Sequence, residues 1–133
     1  MLQGRCHCGR VAWRLDAVPE SATACSCTAC VRYGALWAYG YLNHDIHLTG
    51  EAEAYRRTDA ESGALSFMFC GACGCLTHYL STAPDADGRL RTAVNLRMTE
   101  IETIKRLPID HFDGRDRWED LPRDGRTVED LWF

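Results

Sequence analysis

The residues able to do chemistry in this chain are its cysteines, eight of them in 133 residues, gathered in three clusters. The first is Cys6-His7-Cys8-Gly9. The second is Cys25-Ser26-Cys27-Thr28-Ala29-Cys30, and the third is Cys70-Gly71-Ala72-Cys73-Gly74-Cys75. Thiols at C-x-C or C-x-x-C spacing close poor disulfide loops but reach one tetrahedral ion easily. A closed structural zinc takes four protein ligands, and a pair from each of two hairpins is the usual supply. Cys6 and Cys8 with Cys70 and Cys73 make such a set, which would tie the amino-terminal strand to the middle of the chain. Cys25, Cys27 and Cys30 remain as a tight group of three. Three protein ligands with a fourth position free is the arrangement of a catalytic zinc. Three thiolates make that site soft, suited to a sulfur ligand, and a thiol bound there is held as thiolate at neutral pH. Cys75 is read as a plain buried thiol; the alternative is a fourth ligand that closes the second site and leaves no place for a substrate. Spacing alone also leaves open that both zincs are staples of a small domain.

Strand-like segments lie between the clusters. Residues 11–15 alternate apolar and polar, and residues 35–42 are rich in Trp and Tyr; both suit strands. Residues 47–57 read as one loosely alternating strand punctuated by Gly50. Residues 65–69 run into the third cluster and 76–80 run out of it, which predicts a zinc-knuckle hairpin around the C-x-x-C-G turn. Residues 84–88 are a turn, and 91–96 and 107–112 are further strands. Short helical turns are expected over 28–34, carrying Cys30, and over 99–104. From residue 113 the tail is polar and is expected to wrap the surface, with Leu131-Trp132-Phe133 docking or loose. The fold class is mainly β with minor helix, in one zinc-stapled domain over 1–133 with 113–133 as a peripheral tail.

Composition narrows the function. Hydrophobic residues make up 46% and charged residues 26%, as in a globular protein. The net charge is −4, and Arg56-Arg57 and Lys105-Arg106 are isolated basic pairs. The footprint of a nucleic-acid binder is missing. No apolar run is long enough to span a bilayer, and residues 1–10 hold no apolar segment of a secretory signal, so no membrane and a cytoplasmic location are expected.

Gly4-Arg5-Cys6-His7-Cys8-Gly9-Arg10-Val11, then Cys25-Ser26-Cys27-Thr28-Ala29-Cys30, then Phe69-Cys70-Gly71-Ala72-Cys73-Gly74 resemble, in order and spacing, the glutathione-dependent formaldehyde-activating enzyme family. The same domain occurs in centromere protein V. Ala93-Val94-Asn95-Leu96 and Asp110-His111-Phe112-Asp113-Gly114 resemble the family's later segments, so the resemblance covers roughly residues 3–118. It implies curved antiparallel sheets (β-tent, zinc-ribbon-like) and two zinc ions. A structural zinc falls on Cys6, Cys8, Cys70 and Cys73, and a catalytic one on Cys25, Cys27 and Cys30. The activity implied is that of a carbon–sulfur lyase, condensing formaldehyde with glutathione to S-(hydroxymethyl)glutathione. Ser26 stands where the family often has His, and Cys75 where it commonly has another residue.

If so, the partners are a small thiol such as glutathione and an aldehyde, with a homodimer left open. The thiolate attacks the aldehyde carbon, or zinc polarises the carbonyl; the sequence does not choose. His78 is a candidate proton donor, and Arg32 the first candidate for a substrate carboxylate, ahead of Arg5, Arg10 and Arg97. Tyr33, Trp37 and Tyr39 are candidate pocket walls. His7 is expected exposed or supporting, and His44, His47 and His111 carry no ligand spacing. The contrasting reading is a zinc-stapled protein-interaction module without catalysis. A metal or redox sensor using Cys75 is a third.

Overall fold

The computed structural model describes residues 1–59 and 65–132. Gly50 divides it. The stretch 47–57, expected as a single strand, is two: β5 (Ile46–Thr49) and β6 (Glu53–Arg56), which belong to different sheets. Gly50 sits at φ +84°, in the left-handed region that side chains disfavour. A Cβ there would lie 1.8 Å from the carbonyl oxygen of Arg10, in the first cysteine loop. Gly50→Ala therefore combines backbone strain with a clash, and is expected to cost about 2–5 kcal/mol. A urea titration checks this, as a lowered midpoint at unchanged slope.

β5 joins β1 (Leu2–Arg5) and β2 (Ala12–Leu15) in a three-stranded antiparallel sheet of order β1-β2-β5. β6 is the edge of a second sheet. Its other strands are β3 (Ala22–Cys25), β4 (Trp37–Tyr41), β7 (Leu65–Phe69), β8 (Leu76–Ser81), β9 (Arg91–Asn95), β10 (Ile109–Asp113) and β11 (Glu119–Leu121). The order is β11-β10-β3-β4-β9-β8-β7-β6. Two short helices, α1 (Thr28–Tyr33) and α2 (Ile101–Ile104), complete a mainly β fold, as expected. The pairing of β3 with β10 is parallel, a departure from an all-antiparallel arrangement. It brings the chain's late segment against the second cysteine cluster. No helix among the described residues is long and apolar enough to cross a membrane.

The strands expected over 11–15, 35–42, 65–69, 76–80, 91–96 and 107–112 are present, as are both helical turns. β1 and β3 lie in segments to which the sequence reading gives no bounded element, and β11 lies in the expected tail. Leu131 and Trp132 dock on the core, and the Arg97 guanidinium donates to the Leu131 carbonyl at 2.8 Å and lies over the Trp132 ring. Phe133 lies outside the described residues.

The large sheet packs on both faces, and its strand alternation sorts side chains between two clusters. Ala38 of β4 and Val94 of β9 are register partners and enter the main core with Trp13, Leu36, Ile46, Leu96, Ile104, Ile109 and Val128. One residue along each strand, Trp37, Tyr79 and Ala93 enter a second cluster with Phe67, Cys27 and Cys30. That face carries the site. The rings of Trp37 and Tyr79 meet edge-on, with centroids 5.0 Å apart, and Phe67 closes the group at 6.2 Å from Tyr79.

Candidate functional site

The first and third cysteine clusters come together as expected. The sulfurs of Cys6, Cys8, Cys70 and Cys73 all lie within 4.8 Å of one another. Cys8 Sγ is 3.6 Å from both Cys6 Sγ and Cys70 Sγ. A tetrahedral ion with Zn–S bonds of about 2.3 Å requires sulfurs about 3.8 Å apart, so the set fits zinc with little adjustment. Backbone amides already point at the sulfurs. Val11 N–H donates to Cys6 at 3.3 Å. The amides of Cys75 and Cys8 hold the Cys73 thiol down to about 5. Two tight turns set these amides, with Gly9 N–H donating to the Cys6 carbonyl and Gly74 N–H to the Cys70 carbonyl.

Cys75 belongs to this neighbourhood and not to the second cluster. It packs with Cys6, Val11 and Cys70. The His7 amide favours its thiolate, but burial and the thiol of Cys73 outweigh this and push it up. It adds no ligand to either group of sulfurs. The condition that would have closed the second site is therefore not met among the described residues. His7 is exposed, as expected.

Cys25, Cys27 and Cys30 form the second group, again with all sulfurs within 4.8 Å, and no further Cys, His, Asp or Glu completes it among the described residues. Cys25 ends β3. Cys27 caps α1, and its sulfur accepts the Cys30 amide at 3.2 Å. Cys30 faces inward from the helix and accepts the Trp37 indole N–H at 3.3 Å. The thiols of Cys25 and Cys30, then the backbone amides of Cys30 and Ala29, draw the Cys27 thiol far below the ordinary thiol range. Hydrogen bonds to Cys25 and Cys27, with burial, push Cys30 up. Three soft donors with N–H bonds to sulfur make this a second group that could hold zinc, and all three cysteines line a cavity.

The cavity beside these sulfurs has a volume of about 1180 Å³. Trp37, Tyr39, Phe67 and Tyr79 form one wall. Arg57 reaches in from the end of β6; its guanidinium bonds Thr28 Oγ1 and Asp59 Oδ1, each at 2.8 Å, and interacts with Cys27. Arg91 stands over the Tyr39 ring, 4.9 Å from its centroid, and bonds Tyr79. A second part of the lining comes from β10, β11 and their connection, through Phe112, Arg115 and Trp118. Gly114 lies against the thiols: a Cβ there would be 2.6 Å from Cys25 Sγ and 3.1 Å from Cys27 Cβ. Gly114→Ala should weaken zinc at this group by about 10- to 100-fold, from overpacking of ~1–3 kcal/mol, and leave the four-cysteine group alone. Competition with a chelating dye, resolving the two sites, measures it.

Several candidates do not reach the cavity. His78 is the clearest. Its register partner Val94 faces the main core, so strand alternation turns His78 away while Tyr79, the next residue, faces the cavity. His78 is 3% exposed, bonds Thr77 through Nδ1 at 2.8 Å, and burial drops it to about 4, so it is neutral at pH 7. Arg32 is exposed on the outer side of α1 and donates to Thr28 O at 2.9 Å. Arg5, Arg10 and Arg97 are likewise not among the lining residues, nor is Tyr33, which packs on Phe67 from outside. Trp37 and Tyr39 do line it. Arg57, Tyr79, Arg91 and Gly114 went unassigned in the sequence. For Tyr79 the period-2 pattern held a signal, but one readable only with the strand register in hand.

The sequence matches the glutathione-dependent formaldehyde-activating enzyme family over residues 1–105. A solved structure of a Rhodobacter sphaeroides protein is similar, with a TM-score of 0.57 and 26% sequence identity, over 74% of this chain and 88% of that chain. No curated protein matches the chain. The match spans all three cysteine clusters and most of the chain, and the chain belongs to the glutathione-dependent formaldehyde-activating enzyme family.

Proposed function

We propose that this protein is a zinc-dependent carbon–sulfur lyase, working in the synthetic direction to condense a small thiol such as glutathione with formaldehyde or a related aldehyde. The observation that carries this reading is the group of three cysteines lining a cavity, with no fourth protein donor among the described residues. Cys6, Cys8, Cys70 and Cys73 would hold a structural zinc, and Cys25, Cys27 and Cys30 a catalytic one. Zinc held by three thiolates supplies an open position that favours a thiol as its thiolate.

The reaction forms one C–S bond. The thiol sulfur adds to the carbonyl carbon, the C=O π pair moves to oxygen, and a proton converts the alkoxide to the hydroxyl of the hydroxymethyl thioether. The chain's own groups suit this. Burial raises Tyr39 and Tyr79 above the usual phenol range, so both stay protonated and able to donate to a developing alkoxide. The Arg57 guanidinium, fixed by Asp59 and Thr28, offsets the negative charge of the thiolates. The aromatic wall limits water around the reacting atoms. Residues 1–133 act in this reading as one zinc-binding unit. A cytoplasmic setting, which keeps thiols reduced, suits eight unpaired cysteines.

The test is a condensation assay. Zinc-loaded protein should accelerate loss of free glutathione in the presence of formaldehyde, followed by NMR of the hydroxymethyl product. A rate no different from buffer, across a panel of thiols and aldehydes and with two zinc ions bound, would reject the enzyme reading in favour of a zinc-stapled interaction module.

A further inference from the structure

All seven cysteines of the two sulfur groups fall within the segment that matches the family, residues 1–105. The second part of the cavity lining does not. It is built by β10, β11 and the connection between them, beyond that segment. Parallel pairing of β10 with β3 sets Phe112 beside Cys25 and so fixes this wall at the sulfurs.

The connection is a constructed turn. The buried carboxylate of Asp113 accepts the backbone amides of Arg115 at 3.2 Å, Asp116 at 2.9 Å and Arg117 at 3.3 Å. It also accepts the Arg117 Nε at 3.3 Å, and that guanidinium pairs with Glu119 at 3.2 Å. What this turn presents is unusual. Trp118 is held at φ +53°, is 68% exposed, and meets the Phe112 ring edge-on with centroids 5.1 Å apart. A bulky residue at positive φ is rare, and such conformations persist where the surroundings enforce them, often at ligand clamps. Beside it, Arg115 lines the cavity and makes no ion pair among the described residues. The other charged groups of the cavity are mostly committed. Arg57 is paired with Asp59, and Asp110 with Arg123 and Ser21. Arg91 is stacked on Tyr39. Asp120 lines the same wall as Arg115 and makes no ion pair among the described residues.

We infer that the β10–β11 hairpin is the specificity arm of the cavity: Arg115 takes a carboxylate of the thiol substrate, and the Trp118 ring covers its chain. Among the thiols of the proposed reaction, the hairpin would select for one that carries a carboxylate. A planar guanidinium matches a carboxylate through paired N–H donors. An exposed indole gives apolar contact to a chain lying over the cavity mouth. Asp120 is placed to take an ammonium group on the same ligand. A small uncharged thiol gains none of these contacts. The inference rests on the cavity being the thiol site, and it adds that selectivity resides in the β10–β11 hairpin.

Two measurements on the zinc-loaded full chain test it. The first is calorimetric binding of S-methylglutathione, which carries the carboxylates and ammonium but cannot react. Arg115→Gln should weaken it about tenfold, Arg115→Lys should recover part, and Trp118→Ala should weaken it similarly. The second is the ratio of kcat/KM for glutathione to that for 2-mercaptoethanol, which should fall about tenfold in Arg115→Gln. The inference is overturned if wild type does not bind S-methylglutathione, if Arg115→Gln binds it equally well, or if the ratio is unchanged. Should wild type catalyse nothing with any thiol while binding still depends on Arg115 as stated, the enzyme reading fails and the hairpin's role in recognition is supported.

Discussion

Cys70→Ser is expected to yield a chain with no cooperative thermal transition. Cys70 is buried at 1% exposure and holds its sulfur 3.6 Å from Cys8, across 62 residues of sequence. The four-cysteine group fastens the turn after β1 to the hairpin of β7 and β8, and so joins the three-stranded sheet to the eight-stranded one. The hydrophobic cluster at that junction is small, with Cys6, Val11 and Cys70 as its buried members. The main core, where Trp13 and Ile46 of the small sheet pack with Ala38 and Val94 of the large one, joins the two sheets elsewhere, and the metal group adds the covalent tie at this end. Structural zinc in small domains contributes an apparent ~10–16 kcal/mol, comparable with the whole stability of a domain at about 5–15 kcal/mol. Loss of one ligand leaves three thiols on two loops and an open position, so most of that contribution is lost. Circular dichroism during a thermal ramp, with metal analysis of the same sample, measures the outcome. Excess chelator should reproduce it on wild type. A cooperative melt within a few degrees of wild type would show that the group does not hold the fold together.

Cys27→Ser is expected to behave in the opposite way: a folded protein with about one zinc fewer and no detectable thiol–aldehyde condensation. Cys27 is the N-cap of α1, where its sulfur accepts the Cys30 amide. Serine is among the best residues for that position, so the cap survives the exchange and the change in stability should stay within about 1 kcal/mol. The hydroxyl is a poor replacement for a thiolate as a ligand to a soft site. The effect therefore falls on metal and activity rather than on fold. The aromatic cluster of Trp37, Phe67 and Tyr79 supports that region without the metal. Zinc content per chain, a thermal melt and the condensation assay on one preparation separate the possibilities. If Cys27→Ser melts as badly as Cys70→Ser, the three-cysteine group is a staple and the proposed chemistry is lost with it.

The division of the cysteines was legible because ligand spacing is local. A C-x-C or C-x-x-C pair needs only one turn to aim two sulfurs at one point, and turns are written in adjacent residues such as Gly9 and Gly74. The helix carrying Cys30 and the knuckle strands β7 and β8 are local in the same sense. The substrate side of the site is not. Tyr79 rather than His78 faces the sulfurs because β8 pairs with β9 in one register, and a slip of one residue would exchange them. Arg32 is near Cys30 in sequence but lies on the outer side of a short helix, whereas Arg57 arrives from β6 across the sheet.

The sequence by itself determined the grouping of the cysteines into two sets that could hold a metal, the mainly β class and the family, because those depend on residue type, spacing and alternation within short windows. Tertiary structure decided the rest. It put Cys75 beside the four-cysteine group and so kept the three-cysteine group open. It also turned the polar tail after residue 113 into β11 and a cavity wall, through a parallel pairing of β10 with β3 that no local pattern encodes. Strand order and register are set by the burial of whole faces, Val94 and Ala38 against Ile46 on one side and Trp37 and Tyr79 on the other, and that balance exists only once the sheet has assembled.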